Sequence, residues 1–330
     1  MIFAQFDTEA LTRVRFAISP MIEMMASHLA LEDPDRAALH MPWVEQARER
    51  TQELDLSVLR ALLSAPGYRP DFINPPPSSP LVALEDELAT MLATPAAQAR
   101  EEVLRSYEGR TPPPVLDPFL TDPESALADL ARLLRSYWDG AMAAHWGRIR
   151  SVLEHDVLYR SRQMADGGTH RVFEDLDPSV TWHDGTLRID QCCDGTLELD
   201  GRGLLLLPSV FVWPKVMLVT EPPWQPTLIY PARGVGMLWE PPQAPPSDAL
   251  VKLIGRNRAA LLLALDRPRS TSDLAGALGV TDGGISQQLA ILADAGLVSR
   301  RRVNRYVLYL RSCDGDALLE AASGGELSAA

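Results

Sequence analysis

Cysteine and lysine are both scarce in this chain of 330 residues, which has three of the first and only two of the second, Lys215 and Lys252. Cys192, Cys193 and Cys313 form an odd set with an adjacent pair. That is a poor disulfide framework, and a poor zinc site as well, since zinc asks for well-spaced ligands. Stability must come from a packed core, which a chain of this length can build without staples. Long apolar runs are also missing: no stretch approaches the roughly 18 to 20 residues of a membrane span, and the greasiest run, 204–207, has the length of a strand. The opening Met1-Ile2-Phe3-Ala4-Gln5-Phe6-Asp7 lacks the basic flank and apolar core of a secretory signal. The expectation is a cytoplasmic chain with no membrane partner. Positive charge is short too, with 31 Lys and Arg against 44 Asp and Glu and a net charge of -13, an unfavourable average for binding a polyanion.

The deficit is uneven. Residues 247–311 hold ten Lys or Arg against five acids, whereas 1–246 hold 21 against 35, so one basic segment follows an acidic remainder. Catalytic signatures are absent. His28, His40, His145, His155, His170 and His183 show no HExxH spacing, and no nucleophile elbow, phosphate loop or dinucleotide fingerprint occurs. The sequence therefore implies neither an enzyme nor a cofactor.

Periodicity predicts an α+β chain, with a helix-rich N-terminal domain that includes an antiparallel sheet, followed by a smaller helical unit with a hairpin. Residues 2–6 alternate as a strand, and Asp7-Thr8-Glu9 starts a helix. Asp122-Pro123-Glu124 starts another, with Leu127, Leu130, Ala131, Leu134, Trp138 and Met142 on one face, read as core. The proline runs 75–77 and 112–114 are connectors. Between 180 and 240 the period turns to two, punctuated by Asp184-Gly185, Asp194-Gly195 and Asp200-Gly201, the turn chemistry of an antiparallel sheet. Cys192 and Cys193 fall within it, and neighbours on a strand point to opposite faces, so they read as structural. Phe211, Trp213, Trp224, Tyr230 and Trp239 read as core, with a ligand-pocket wall as the alternative. Pro241-Pro242-Gln243-Ala244-Pro245-Pro246-Ser247 is a semi-rigid linker. The expected domains are 1–240, an effector or dimerisation domain, and 248–330, joined by 241–247.

Beyond the linker, Leu250, Leu253, Ile254, Leu261, Leu262 and Leu265 have the spacing of one helix ending before Pro268. Ser270-Thr271-Ser272-Asp273 has the form of a capping box opening a short helix over 271–278. Gly279 closes it, and Thr281 caps the next helix, which runs to Gly296. After it, 297–310 alternates on both sides of an Asn-containing tip and carries Arg300, Arg301, Arg302 and Arg305, which makes a basic β-hairpin. Helix, tight turn, helix and basic hairpin form a winged helix-turn-helix.

At Ser270 to Ala275, Ile285-Ser286-Gln287-Gln288-Leu289, Ala295-Gly296-Leu297-Val298 and Tyr306 to Leu310, the chain resembles the winged-helix repressors of the ArsR type. Through residues 12–20 and 208–214 the rest resembles an N-terminal domain of unknown function associated with such regulators. The first resemblance implies a homodimer that binds a pseudo-palindromic duplex operator. Repressors of this type often sense metal through paired cysteines in the helix before the turn, or through histidines and acids on a C-terminal helix. Here 272–275 and 314–322 contain neither cysteine nor histidine, so that metal site is not expected.

A major groove about 12 Å wide admits one helix, and residues near its N-terminus reach base edges. Thr281, Gly283, Ser286, Gln287 and Gln288 occupy that end. Gln287 is the candidate reader, because glutamine can pair with both N6 and N7 of adenine, while Thr281 and Ser286 suit phosphate. Arg300, Arg301, Arg302 and Arg305 are candidates for phosphate neutralisation or minor-groove insertion. Two alternatives stay open. In one, the N-terminal domain binds a small-molecule effector. In the other, an enzyme or interaction module uses the winged helix for protein docking.

Overall fold

The computed structural model describes residues 1–324 except 38, 66–67, 191–193, 223, 236–237, 240–245, 267–268, 279 and 304–305; of 270, 272–273, 276–277, 282, 302–303, 306 and 323–324 it describes the backbone alone. The expected linker and the Cys192-Cys193 pair thus fall largely or wholly outside the described residues. The chain divides into two compact units, Met1–Ala232 and Arg233–Ala330.

In the first unit, helices surround two four-stranded sheets. One sheet runs in the order Val180–His183, Thr186–Ile189, Ile2–Gln5, Gly195–Leu197. Its first two strands form the hairpin expected at Asp184-Gly185, where both residues adopt positive φ, 46° and 80°, as a two-residue hairpin turn demands. The other sheet runs Arg15–Phe16, Leu205–Ser209, Thr227–Pro231, Met217–Val219. Antiparallel pairing is present in both, but each sheet also contains parallel pairs, Ile2–Gln5 beside Gly195–Leu197 in one and Leu205–Ser209 beside Thr227–Pro231 in the other. Those pairs join segments far apart in sequence, and local turn signals carry no information about them.

The unbroken apolar run at 204–207 has a structural cause. Leu204, Leu206, Leu228 and Tyr230 belong to one core cluster, and Leu205, Leu207 and Ile229 to another. A strand covered on both faces needs no polar alternation. Against the second cluster lies the helix Pro20–Glu32, capped by the Ser19 hydroxyl, which accepts from the amide of Ile22 at 3.0 Å. Residues 20–31 of that helix are all buried, so it is apolar nearly all round rather than striped. Asp7 caps Thr8–Thr12 and Asp122 caps Pro123–Tyr137, as their sequences suggest.

The second unit contains the helices Asp248–Ile254, Arg256–Ala264, Thr271–Leu278, Asp282–Asp294 and Cys313–Gly324, with a three-stranded sheet in the order Val298–Val303, Tyr306–Arg311, Arg269–Ser270. The single helix expected over 250–265 is two helices. Gly255 breaks it at φ 84°, and its amide closes the first helix on the carbonyl of Val251, a conformation that glycine adopts without Cβ strain. Ser270 is the last residue of the edge strand and directly precedes Thr271–Leu278; its side chain, and with it the expected cap, lies outside what is described.

Candidate nucleic-acid interface

The middle of the second unit is a small apolar core of Leu261, Leu262, Leu265, Leu274, Ile285, Leu289, Leu292 and Val298. Ile285, Leu289 and Leu292 are spaced four and three apart, so they share one face of Asp282–Asp294 and pin it against Thr271–Leu278 and Arg256–Ala264. The connection between the paired helices is tight. The amide of Val280 donates to the carbonyl of Ala275 at 3.1 Å, and the Thr281 hydroxyl accepts from the amide of Gly284 at 3.3 Å. Thr281 is therefore a helix cap with an exposed side chain.

Burial of one stripe decides what the opposite stripe can do. Gly283, Ser286, Gln287, Ala290 and Ile291 are exposed, and the first three lie near the N-terminal end, where backbone amides and the helix dipole favour an anion. Gln288 differs from its neighbour. It is half-buried, and its side-chain oxygen accepts from Nη1 of Arg258 at 3.0 Å. That bond fastens the helix to Arg256–Ala264 and leaves Gln287 as the glutamine that points freely outward.

The hairpin pairs Val298 with Arg311, Arg300 with Tyr309, Arg301 with Leu308 and Arg302 with Val307. Arg300 and Arg301 are exposed. Because adjacent strand residues face opposite ways, Arg300 and Arg301 lie on opposite faces of the ribbon. Only the backbone of Arg302 is described, and Arg305 lies outside the described residues.

Basic residues elsewhere in the segment do different work. Arg269 is buried against Asp266, and Arg311 donates to the carbonyls of Leu262 and Leu263 and pairs with Asp316. With Arg258, three of the ten positive charges are tied to the unit's own frame. No count of charge along the chain separates these from the exposed ones. Of the aromatic set at 211–239, Phe211 packs on His40 and Trp43, and the Tyr230 hydroxyl donates to Asp156.

Residues 255–301 match a helix-turn-helix domain family, and residues 84–236 match a family of unknown function, DUF5937. The second unit carries a helix-turn-helix domain. The match spans the two paired helices and the start of the hairpin, and it fits the ArsR-type resemblance together with an N-terminal domain of unknown function. It makes the chain a DNA-binding regulator at the level of class. No curated protein and no solved structure matches the chain. Among the described residues no helix is long and apolar enough to cross a membrane, and no group of three or more His, Cys, Asp or Glu could hold a metal ion.

Proposed function

We propose that the chain is a sequence-specific transcriptional regulator of the cytoplasm, a homodimeric repressor whose two reading helices contact half-sites about one helical turn apart on a pseudo-palindromic operator. The supporting observation is the exposed stripe of Gly283, Ser286 and Gln287 at the capped end of a helix whose other stripe is buried. Gln287 reads a base, Thr281 and Ser286 contact phosphate or a single acceptor, and Gln288 contributes through its amide nitrogen while its oxygen holds Arg258. Arg300, Arg301, Arg302 and Arg305 set affinity through phosphates.

The reading is tested by capturing genomic fragments on the purified protein and titrating the recovered site and its point variants over a range of salt. Gln287→Ala is expected to relax preference at one position at a cost of about 1 to 3 kcal/mol, and Arg301→Ala to weaken all sequences alike and lower the salt slope by about one. Equal losses on every sequence for Gln287→Ala would remove it as the reader. Absence of salt-dependent binding would point instead to a docking module. Sedimentation with and without operator checks the dimer. A second reading adds a small-molecule effector in the first unit, whose 232 residues far exceed what DNA binding requires.

A further inference from the structure

The helix Pro123–Tyr137 does not stop at its end but passes through one π turn, Trp138–Met142, into the long helix Ala143–Glu174. Trp138 and Trp146 are eight residues apart, and at about 100° per residue an uninterrupted α-helix would set them about 80° apart. The extra residue of a π turn brings them back to within about 20°. Their rings accordingly meet, with centroids 5.3 Å apart and planes at 60°. The turn is anchored from behind: the indole of the fully buried Trp43 donates to the carbonyl of Ala141 at 2.8 Å. At Gly140 a Cβ would come within 3.2 Å of the Thr51 side chain and 3.3 Å of the Arg50 carbonyl. Isolated π turns tend to mark functional sites because they are otherwise disfavoured.

On the outer side of this turn lies a cleft of about 580 Å³, lined by Leu81, Val82, Leu84 and the two tryptophans, together with charged groups. That volume falls within the roughly 300 to 1,000 Å³ of small-molecule sites. The charges decide the ligand. Arg135 is held by Glu85 through Nε and Nη2, the shorter bond being 2.7 Å, and Nε of Arg150 is held by Glu154 at 2.8 Å. Asp139 alone among the lining ions has no hydrogen-bond or ion-pair partner among the described residues. The unit around it is acidic, with 34 Asp and Glu against 20 Lys and Arg in 1–232. Two half-exposed indole faces, negative at their centres, beside an uncompensated carboxylate are complementary to a cation with a bulky apolar body.

We propose that this cleft binds a hydrophobic organic cation, with Trp138 and Trp146 as its wall and Asp139 as its counter-ion. Binding can be measured on the full chain without DNA, so its failure and that of the DNA-binding reading are separable. The probes are tetraphenylphosphonium and tetraphenylborate, alike in shape and opposite in charge, titrated while tryptophan fluorescence and heat are followed. The cation is expected to bind saturably and the anion at least about tenfold more weakly, with Asp139→Asn and Trp146→Ala each weakening the cation about tenfold. Arg150→Gln should leave cation affinity unchanged or higher, and thermal melts check that each variant is folded. Borate binding as well as phosphonium, no saturable binding of the cation, or an Asp139→Asn protein with unaltered affinity would each overturn the proposal.

Discussion

Gly315 shows how little room a single position can leave. A Cβ placed there would run into the backbone carbonyl of Leu297, and its amide already donates to the Ser312 hydroxyl at 3.1 Å. The Ser312 hydroxyl in turn donates to the carbonyl of Gly296, so the start of Cys313–Gly324 is stitched to the end of the reading helix. Gly315→Ala is expected to destabilise the second unit by about 1 to 3 kcal/mol through overpacking, read as a lower midpoint in thermal or urea unfolding. An unchanged midpoint would mean that the close approach is relaxed in solution. Residue-scale detail also separates Gln287 from Gln288. They are identical in type and adjacent in sequence, and the position of Arg258 on another helix distinguishes them. The sequence names both as candidates and favours Gln287 as the reader; the bond from Arg258 to Gln288 adds the geometric difference between them.

At the scale of the element, local signals served well where an element is specified by its own residues. The caps at Asp7, Asp122 and Thr281 and the Asp184-Gly185 turn were legible, because the groups that bond lie within three or four positions of one another. Trp138 was not, since its reading as core assumed an unbroken α-helix. The π turn instead brings it to the cleft, and the anchor for that turn, Trp43, lies 98 positions away. The reading helix offers a test of its own. It starts Asp282-Gly283-Gly284, and a Cβ at Gly283 would meet nothing within 4 Å. Gly283→Ala is expected to stabilise the second unit by up to about 1 kcal/mol through helix propensity, measured by denaturant unfolding in the absence of DNA. Destabilisation would show that the helix start needs the glycine backbone.

For the first unit as a whole, buried ionisable groups set a pH dependence. Burial pushes the Glu23 carboxyl up to about 8, and Glu87 and Asp71 up to about 7. Desolvation lowers His28 and His40 to about 4. The carboxyls therefore favour the fold while protonated. Their contribution is whole below the ordinary carboxylate range and is lost as pH rises toward 8. The histidines act oppositely: their contribution is whole above about 6.5 and is lost as pH falls toward 4. Above pH 6.5 only the carboxyls still act, so the unfolding temperature of the first unit should fall between pH 6.5 and 9. Tryptophan fluorescence reports that unit, since six of the seven tryptophans lie in 1–232. Glu23→Gln keeps an acceptor for the amide of Val210 and should flatten the fall. A flat wild-type profile, or a variant with an unchanged slope, would show that these groups do not control stability.

The sequence by itself determined the helix-turn-helix, its cap and its basic hairpin, because that motif is built from contacts close along the chain and from patterns of period two and 3.6. It also located the acidic segment and its strands at 2–6 and between 180 and 240, but not Arg15–Phe16. Only the tertiary structure decided that Gln288 is turned to Arg258 while Gln287 stays exposed. It alone showed that parallel strands join the two ends of the first unit, and that Trp138 and Trp146 share a wall with Asp139. Each of these depends on groups brought together across long stretches of chain, where packing and desolvation rather than local propensity choose the arrangement.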